Sequence, residues 1–347
     1  MKFKTSVSVS RVWLALSAAS VVLCSAQVAQ AAPSSAKADW PQDALRVTEI
    51  TESSHPFQTL YCAREPIQVR FIGDTAEIIV NGERRVLRQA ISASGARYVV
   101  PGDDSTEFWS KGPLGTLTWS GQELPVCAPA GTLITPFKAS GNEPFWTVTY
   151  DGWGITLAQP GKPEQSLDAE IVKTSPLSQT LQAGKGPEAI TLTTEEGLCV
   201  DSMTGMSYPQ KVTLTKGGTS YPGCGGRPAR LLEGVVWKIT YMGTTPVQQQ
   251  SPAFVQFLAN NQVAGSSGCN RFFGQYELTG EALTFKGMGS TRMACEPALM
   301  AQEDELLKLL SSVNRFSFKQ DSMQTVQLHS GDTVITAEAQ PIDRSKR

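Results

Sequence analysis

The sequence predicts a mainly β protein of three small disulfide-stapled domains, the last of which adds a helix. Three observations predict it. Gly 30 and Pro 21 are spread without a period, as turn punctuation between many short strands. A chain of 347 residues exceeds one ordinary core and divides into two or three units of about 100–150 residues. Six of the seven cysteines fall as successive pairs along the chain. Six cysteines allow fifteen pairings; the spacing favours Cys62–Cys127, Cys199–Cys224 and Cys269–Cys295, one staple per domain. Each would contribute about 3–4 kcal/mol in the chain-entropy model. Hydrophobic content of 40% with 18% charged residues excludes a disordered chain or a coiled coil.

Residues 1–31 have the pattern of an export signal: Lys2, Lys4 and Arg11, an apolar stretch from Val12 to Leu23, and Ala29-Gln30-Ala31 as a small-x-small cleavage site. The apolar stretch is short of the about 20 residues a spanning helix needs. Its removal takes Cys24 away, leaves an even cysteine count, and moves the formal net charge from −2 to −5. The competing reading makes Cys24 a lipoprotein anchor, against which stands bulky Leu23 where a lipidation box wants a small residue. The expected product is a mildly acidic soluble protein of an oxidising compartment, most simply the periplasm. Its charge disfavours nucleic-acid binding, and no later stretch is apolar enough to cross a membrane as a helix.

Residues 32–43 (APSSAKADWPQD) read as a linker. From 44 to 130 short alternating runs follow, Ile67 to Phe71, Ala76 to Val80, Arg97 to Val100 and Gly115 to Trp119, divided by turn signals at Asn81-Gly82 and Gly102-Asp103. Asn-Gly between two apolar alternations is a strong hairpin signal, so this region is an antiparallel sheet or small barrel. Residues 131–232 repeat the pattern, with strands at Phe145 to Tyr150 and near Ile190 to Thr193 and Lys211 to Thr215.

Residues 233–340 begin with a strand and contain one persuasive helix. Pro297 suits its first turn, and Leu299, Glu303, Leu306, Leu310 and Val313 keep helical spacing, with Met300 and Leu307 widening a core-packing stripe. Residues 341–347 are left as a tail. An internal echo marks the domain starts: Trp146-Thr-Val-Thr-Tyr150-Asp-Gly152 resembles Trp237-Lys-Ile-Thr-Tyr241-Met-Gly243. Each would place Trp, an aliphatic residue and Tyr on one strand face.

The candidate chemistry is sparse. Two histidines, His55 and His329, stand in different domains, which excludes a His-rich metal centre and argues against a His-based dyad or triad. No GxSxG elbow, HExxH or Walker loop occurs, and no C-x-x-C pair. Asp103-Asp104 reads as a solvated turn. The most suggestive cluster is Ser92-Ala-Ser94-Gly95-Ala96-Arg97-Tyr98 followed by Phe108-Trp109-Ser110-Lys111-Gly112. Taken alone it is a polar loop on a barrel. A Ser94–Lys111 catalytic dyad would need a dry pocket around the lysine, which exposed Gly-rich loops do not supply.

Tyr61-Cys62, SASGARY, FWSKG, Leu117 and Cys127 together resemble the periplasmic and membrane-bound C-type lysozyme inhibitors (the MliC/PliC family), over about residues 58–128. The resemblance implies an eight-stranded antiparallel β-barrel whose first and last cysteines pair. It also implies a contact set of Ser94, Gly95, Tyr98, Lys111 and Gly112. Ser94 would bond one carboxyl of the lysozyme cleft and Lys111 would pair with the ionised one. Gly95 would let the loop enter, while Tyr98 braces it or packs at the contact. The implied partner is a C-type lysozyme, with no cofactor and no metal.

Gly268-Cys269-Asn270-Arg271-Phe272, Gly274-Gln-Tyr276 and Thr291-Arg292-Met293-Ala294-Cys295, with Glu303 and Glu305 on the helix, resemble the META (HslJ-like) domains. That implies an α+β C-terminal unit of envelope proteins linked to stress tolerance, with Asn270 and Arg271 as a polar site or, better, a buried network supporting the turn. Gly141-Asn142-Glu143-Pro-Phe145-Trp146, Cys199-Val-Asp201-Ser202-Met203 and Tyr221-Pro-Gly-Cys224 resemble an uncharacterised family of bacterial envelope domains. There Asn142 and Glu143 fit a polar turn better than a ligand site. Two functions follow: a lysozyme inhibitor with accessory domains, or a non-enzymatic envelope-stress or surface-binding protein whose META domain carries the main role.

Overall fold

The computed structural model describes residues 55–319 and 322–344. The export signal with Cys24 and the linker at 32–43 lie outside the described residues. The chain from 58 onward forms three successive β units.

The first comprises β1 (Gln58–Cys62), β2 (Glu65–Ile72), β3 (Thr75–Val80), β4 (Glu83–Ala90), β5 (Ala96–Val100), β6 (Asp103–Lys111), β7 (Leu114–Trp119), β8 (Gln122–Glu123) and β9 (Cys127–Ala128). Strands β1 to β7 meander, and β9 slots between β7 and β1, so eight antiparallel strands close a barrel while β8 pairs with β7 alone. Closure falls on the pair Cys62↔Cys127, which is also the disulfide. Ile67, Ile78, Leu87, Phe108, Leu117 and Trp119 fill the interior, each an inward position of a period-two strand. The β3–β4 turn is Asn81-Gly82 with both residues at positive φ, the geometry that makes Asn-Gly favoured in two-residue hairpins. Asp103 and Asp104 open β6 rather than sitting in a solvated turn. The turn proper is Pro101-Gly102, because Val100 pairs with Asp103.

The second unit is a closed eight-stranded barrel in simple order: β10 (Phe137–Asn142), β11 (Phe145–Tyr150), β12 (Gly154–Ala158), β13 (Gln165–Ser175), β14 (Ser178–Ala183), β15 (Ile190–Val200), β16 (Ser207–Lys216) and β17 (Thr219–Gly225). Cys199 on β15 reaches Cys224 on β17 across the intervening strand. Trp146, Val148 and Tyr150 all point inward, as the period requires.

The third unit holds β18 (Val236–Met242), β19 (Thr245–Pro246), β20 (Phe254–Phe257), β21 (Gln262–Ser266), β22 (Arg271–Leu278), β23 (Leu283–Ser290), α1 (Pro297–Ser311), β24 (Val313–Phe318), β25 (Thr325–Ser330) and β26 (Thr333–Gln340). The sheet runs β23-β22-β21-β20-β18-β26-β25-β24 with β19 beside β18. Cys269 and Cys295 bridge the loops before β22 and α1. The helix buries Leu306, Leu309 and Leu310 but also the polar Gln302 and Glu303. The echo with β11 breaks at its last member. A register shift between Ile239 and Tyr241 turns Tyr241 outward, 48% exposed, and Met242 inward, which is what one extra residue does to a period of two.

The units are joined by buried contacts. Met206 lies inside the third unit's core, and Leu198 and Tyr208 of the second barrel pack against it. Residues 341–344 are docked rather than a free tail: Ile342 is buried, and Arg344 forks onto Glu65 of the first barrel with N–O distances of 2.9 and 2.7 Å. Both side chains are about as buried as a core leucine, at 5% and 3% exposed. From the other side, Arg230 donates to the Val126 carbonyl at 2.8 Å. Gly234 sits where a Cβ would lie 2.6 Å from the Glu65 nitrogen, so only glycine lets the two backbones approach this closely.

Candidate functional site

Strands β5 and β6 form a hairpin whose closed end is Pro101-Gly102 and whose open end carries Ser94-Gly95 and Lys111-Gly112. Ala96 pairs with Ser110 and Arg97 with Trp109, so the two loops, distant in sequence, lie side by side. The register shifts at the far end, between Val99 and Val100, where Asp104, Ser105 and Thr106 have no partner on β5. They therefore lengthen the hairpin without separating Ser94 from Lys111.

Gly95 is the hinge of this arrangement. Its φ is +67°, and a Cβ there would meet the Ser110 carbonyl oxygen at 2.4 Å and Trp109 Nε1 at 2.8 Å. Glycine answers both the left-handed backbone and the close crossing of loop over strand. Two hydrogen bonds fix the loop: the Ser92 hydroxyl donates to the Gly95 carbonyl at 3.0 Å, and Trp109 Nε1 donates to the Ser94 carbonyl at 2.8 Å. Trp109 was not singled out as a functional residue in the sequence. Its signal was the FWSKG alternation, in which Phe108 goes inside and Trp109, 41% exposed, stays out. Below it, Arg97 grips Glu107 through two 2.8 Å hydrogen bonds, which, with the charge itself, hold the Glu107 carboxyl below its ordinary pKa.

Ser94, Lys111 and Gly112 are exposed. Among the described residues no hydrogen bond or ion pair engages Ser94 Oγ or Lys111 Nζ. The loops thus present one hydroxyl and one ammonium, both solvated, from a frame held by side-chain hydrogen bonds to the loop backbone. Tyr98 is different. It is 7% exposed and packs on Phe71 with ring centroids 5.4 Å apart. Its ring points into the barrel and leaves little surface for a partner.

The polar residues of the third unit are arranged in the opposite sense. Asn270 is buried, and its side chain clamps the segment after β23: Thr291 Oγ1 and the Met293 N–H donate to its oxygen at 2.8 and 2.7 Å, while its amide donates to the Met293 carbonyl at 3.2 Å. The same amide donates to Glu303 on α1 at 3.0 Å, and Ser267 Oγ donates to that carboxylate at 2.7 Å. Gln302 ties the Ser267 carbonyl to the Gln248 N–H. Asn270 is therefore the buried turn-supporting residue, but Arg271 is exposed on β22 and takes no part. Alternation along the strand puts the neighbour of an inward residue outside. Glu303 stood out in the sequence beside the motif, but its partners Ser267 and Gln302 did not.

In the middle barrel Asn142 donates to Asp201 at 3.0 Å and to Ser202 at 2.9 Å, closing two motif loops on each other, while Glu143 stays exposed. Burial opposes ionisation of Asp201, but hydrogen bonds from Thr204, Asn142 and the Met203 N–H outweigh it and hold its pKa low. Among the described residues no three His, Cys, Asp or Glu side chains are placed to hold a metal, and no helix is long and apolar enough to cross a membrane.

No curated protein matches the chain. Two structures solved by NMR match about a third of it. One is a protein from Burkholderia xenovorans, 25% identical, aligned over 32% of this chain and 86% of that one with a TM-score of 0.30. The other is 23% identical over 32% and 92%, with a TM-score of 0.28. At these scores neither bears on the fold or the function. Two family models match: residues 61–125 match MliC, described as membrane-bound lysozyme-inhibitor of c-type lysozyme, and residues 230–341 match the META domain, in the order the two sets of motifs imply.

Proposed function

We propose that the protein is an exported, non-enzymatic bacterial envelope protein that inhibits c-type lysozyme by inserting the Ser94 and Lys111 loops into the lysozyme active-site cleft. The observation that carries this reading is the pairing of two unsatisfied, exposed polar tips on one rigid hairpin end. C-type lysozymes are retaining glycosidases with two carboxyl groups about 5–5.5 Å apart, one protonated and one ionised. A hydroxyl and an ammonium side by side answer that pair: Ser94 hydrogen-bonds one carboxyl, and Lys111 forms a charge-assisted bond with the ionised one. Because neither tip has a partner to abandon, association gives up only its hydration. The frame beneath is set in advance by Gly95 and Trp109, which limits the ordering cost of binding. The first barrel itself carries seven Lys+Arg against eight Asp+Glu between residues 58 and 128. Attraction of a basic enzyme therefore rests on the acidic excess of the rest of the chain. Placement in the periplasm rests on the export-signal pattern at 1–31 and on the family match.

The test is a titration of purified residues 32–347 into a c-type lysozyme lysis assay, with Ser94→Ala and Lys111→Ala in parallel. The intact protein inhibits at micromolar concentration or below, and each variant weakens inhibition by about 30-fold or more, the size of a lost desolvated contact of about 2 kcal/mol or greater. Absence of inhibition by the intact protein sinks the reading. Full inhibition by both variants keeps the inhibitor and removes the site.

A further inference from the structure

A cleft of about 680 Å³ opens where the middle barrel meets the third unit. That volume and the position between domains are those of a small-molecule site. One wall is the outer face of β10 and β11. The register pairs Lys138 with Thr149 and Ser140 with Thr147, while the alternate residues Ala139 and Val148 face the barrel interior. The wall is therefore a two-strand ladder of hydroxyls ending in an ammonium. The opposite wall is Arg227-Pro228 and the β22–β23 turn, with Tyr208 between.

Three features make this more than a gap between domains. First, Ser140, Thr147 and Thr149 make no side-chain hydrogen bond among the described residues, although hydroxyls on the same barrel do pair when they face each other, as Thr180 and Thr193 do. Second, among the described residues neither cation makes an ion pair, and they sit on adjacent segments: the Gly226 N–H donates to the Lys138 carbonyl at 2.9 Å, which brings Arg227 beside Lys138. Third, no acidic residue lines the cleft. Carboxylates act on the lining electrostatically, Asp201 and Glu281 on Tyr208 and Glu233 on Arg227, and Glu196 lies by Arg227 in a neighbouring pocket. Burial pushes the Tyr208 phenol pKa up, so it remains a neutral donor.

The geometry points to a binding site for an acidic saccharide, whose carboxylate pairs with Lys138 and Arg227 while its hydroxyls bond the Ser140–Thr147–Thr149 ladder. A planar guanidinium beside an ammonium recognises a carboxylate. Cross-strand Cβ atoms stand about 5 Å apart, a separation that the hydroxyls of one pyranose ring span. A simple anion would use the cations and leave the ladder bare; a neutral sugar would do the reverse.

The test uses isothermal titration of residues 32–347 with trigalacturonate, with maltotriose as the uncharged counterpart and inorganic sulfate as the anion alone. Glucuronic acid serves as the single-residue arm, separating a free sugar acid from an oligosaccharide. Trigalacturonate or glucuronic acid binds at millimolar concentration or tighter, at least 10-fold better than maltotriose and than sulfate. Lys138→Ala and Arg227→Ala each cost 10-fold or more, and Thr147→Val costs about 3-fold. All three replacements are on the surface, so unfolding midpoints unchanged from the parent protein verify that the barrel is intact. Absence of binding by both acids overturns the proposal. Sulfate binding as tightly as either acid, or full binding by the Lys138→Ala/Arg227→Ala double variant, overturns it as well.

Discussion

The two motif-rich polar clusters, Ser94/Lys111 on the first barrel and Asn270/Glu303 in the third unit, look alike as strings of Gly, Ser and charged residues, yet the fold uses them oppositely. At the first the Ser94 and Lys111 side chains are exposed and without partners, and Ser92, Gly95 and Trp109 position them through the loop backbone. At the second Ser267, Asn270, Gln302 and Glu303 are buried and matched, and the side chains hold three loops together. A buried polar group left unmatched costs about 1–3 kcal/mol, whereas a solvated one costs nothing to leave free. The inventory of partners therefore separates a surface prepared for another molecule from an internal brace, which residue type does not.

The largest effect that would break this comparison comes from the staples. Replacing Cys62 and Cys127 with Ser opens a loop of 65 residues and is expected to cost about 4 kcal/mol, measured by urea unfolding. Lysozyme inhibition should persist wherever the variant remains folded, because the bond is reached from Lys111 only through β7, where Gly115 pairs with both Cys127 and Ser110, while the Ser94 loop is fixed by Gly95 and Trp109. Loss of inhibition by a folded variant would show that the tips depend on the whole barrel.

Next comes a direct contrast. Asn270→Ala strands the Met293 N–H and removes a donor from Glu303, for an expected loss of about 3 kcal/mol. Ser94→Ala and Lys111→Ala should stay within about 0.5 kcal/mol of the parent protein. Equal losses at the two sites would end the distinction.

A smaller effect sharpens the account of the first site. Gly95→Ala forces a Cβ against the Ser110 carbonyl oxygen and a left-handed backbone on alanine, costing about 1–2 kcal/mol. Trp109→Phe removes a single hydrogen bond to the Ser94 carbonyl, worth about 1 kcal/mol. Both should weaken inhibition without touching either tip, read from inhibition curves beside unfolding midpoints.

The smallest effect is in pH. The folded pKa of Glu107 is depressed by its hydrogen bonds and charge contact with Arg97. Its contribution to stability is therefore complete above the unfolded value, about 4.3, and disappears as pH falls through the lower folded value. Glu107→Gln should make the loss of stability below about pH 4 shallower and leave neutral-pH stability nearly unchanged, since the pair is solvent-screened. Acid titration of the unfolding midpoint gives the answer.

Much of this was legible from residues alone. Period-two alternation and turn chemistry placed β2, β3, β5, β7 and β11, and Pro297 with leucines at helical spacing placed α1, because those signals are satisfied within a few residues. The glycine at 95 and the lysine before Gly112 were visible for the same reason. Trp109, Gln302 and the inward turn of Tyr98 were not, because their roles depend on which strand or loop faces them. Arg271 misled because it adjoins Asn270 in sequence, and adjacency along a strand means opposite faces.

The sequence by itself determined the strand-rich composition, the three cysteine pairs, the helix at Pro297–Ser311 and the polar loops at Ser94-Gly95 and Lys111-Gly112, all set by local periodicity, turn geometry and residue chemistry, while the pairing of those loops as a contact set came from the family resemblance. Only the tertiary structure decided the closure of both barrels, the bulge that turns Tyr241 outward, the docking of residues 341–344 through Arg344 and Glu65, and the meeting of Ser94 with Lys111. Each of these joins segments far apart in the chain. Such contacts form only when burial and hydrogen bonding repay the entropy of bringing distant residues together, and that balance is struck over the whole fold.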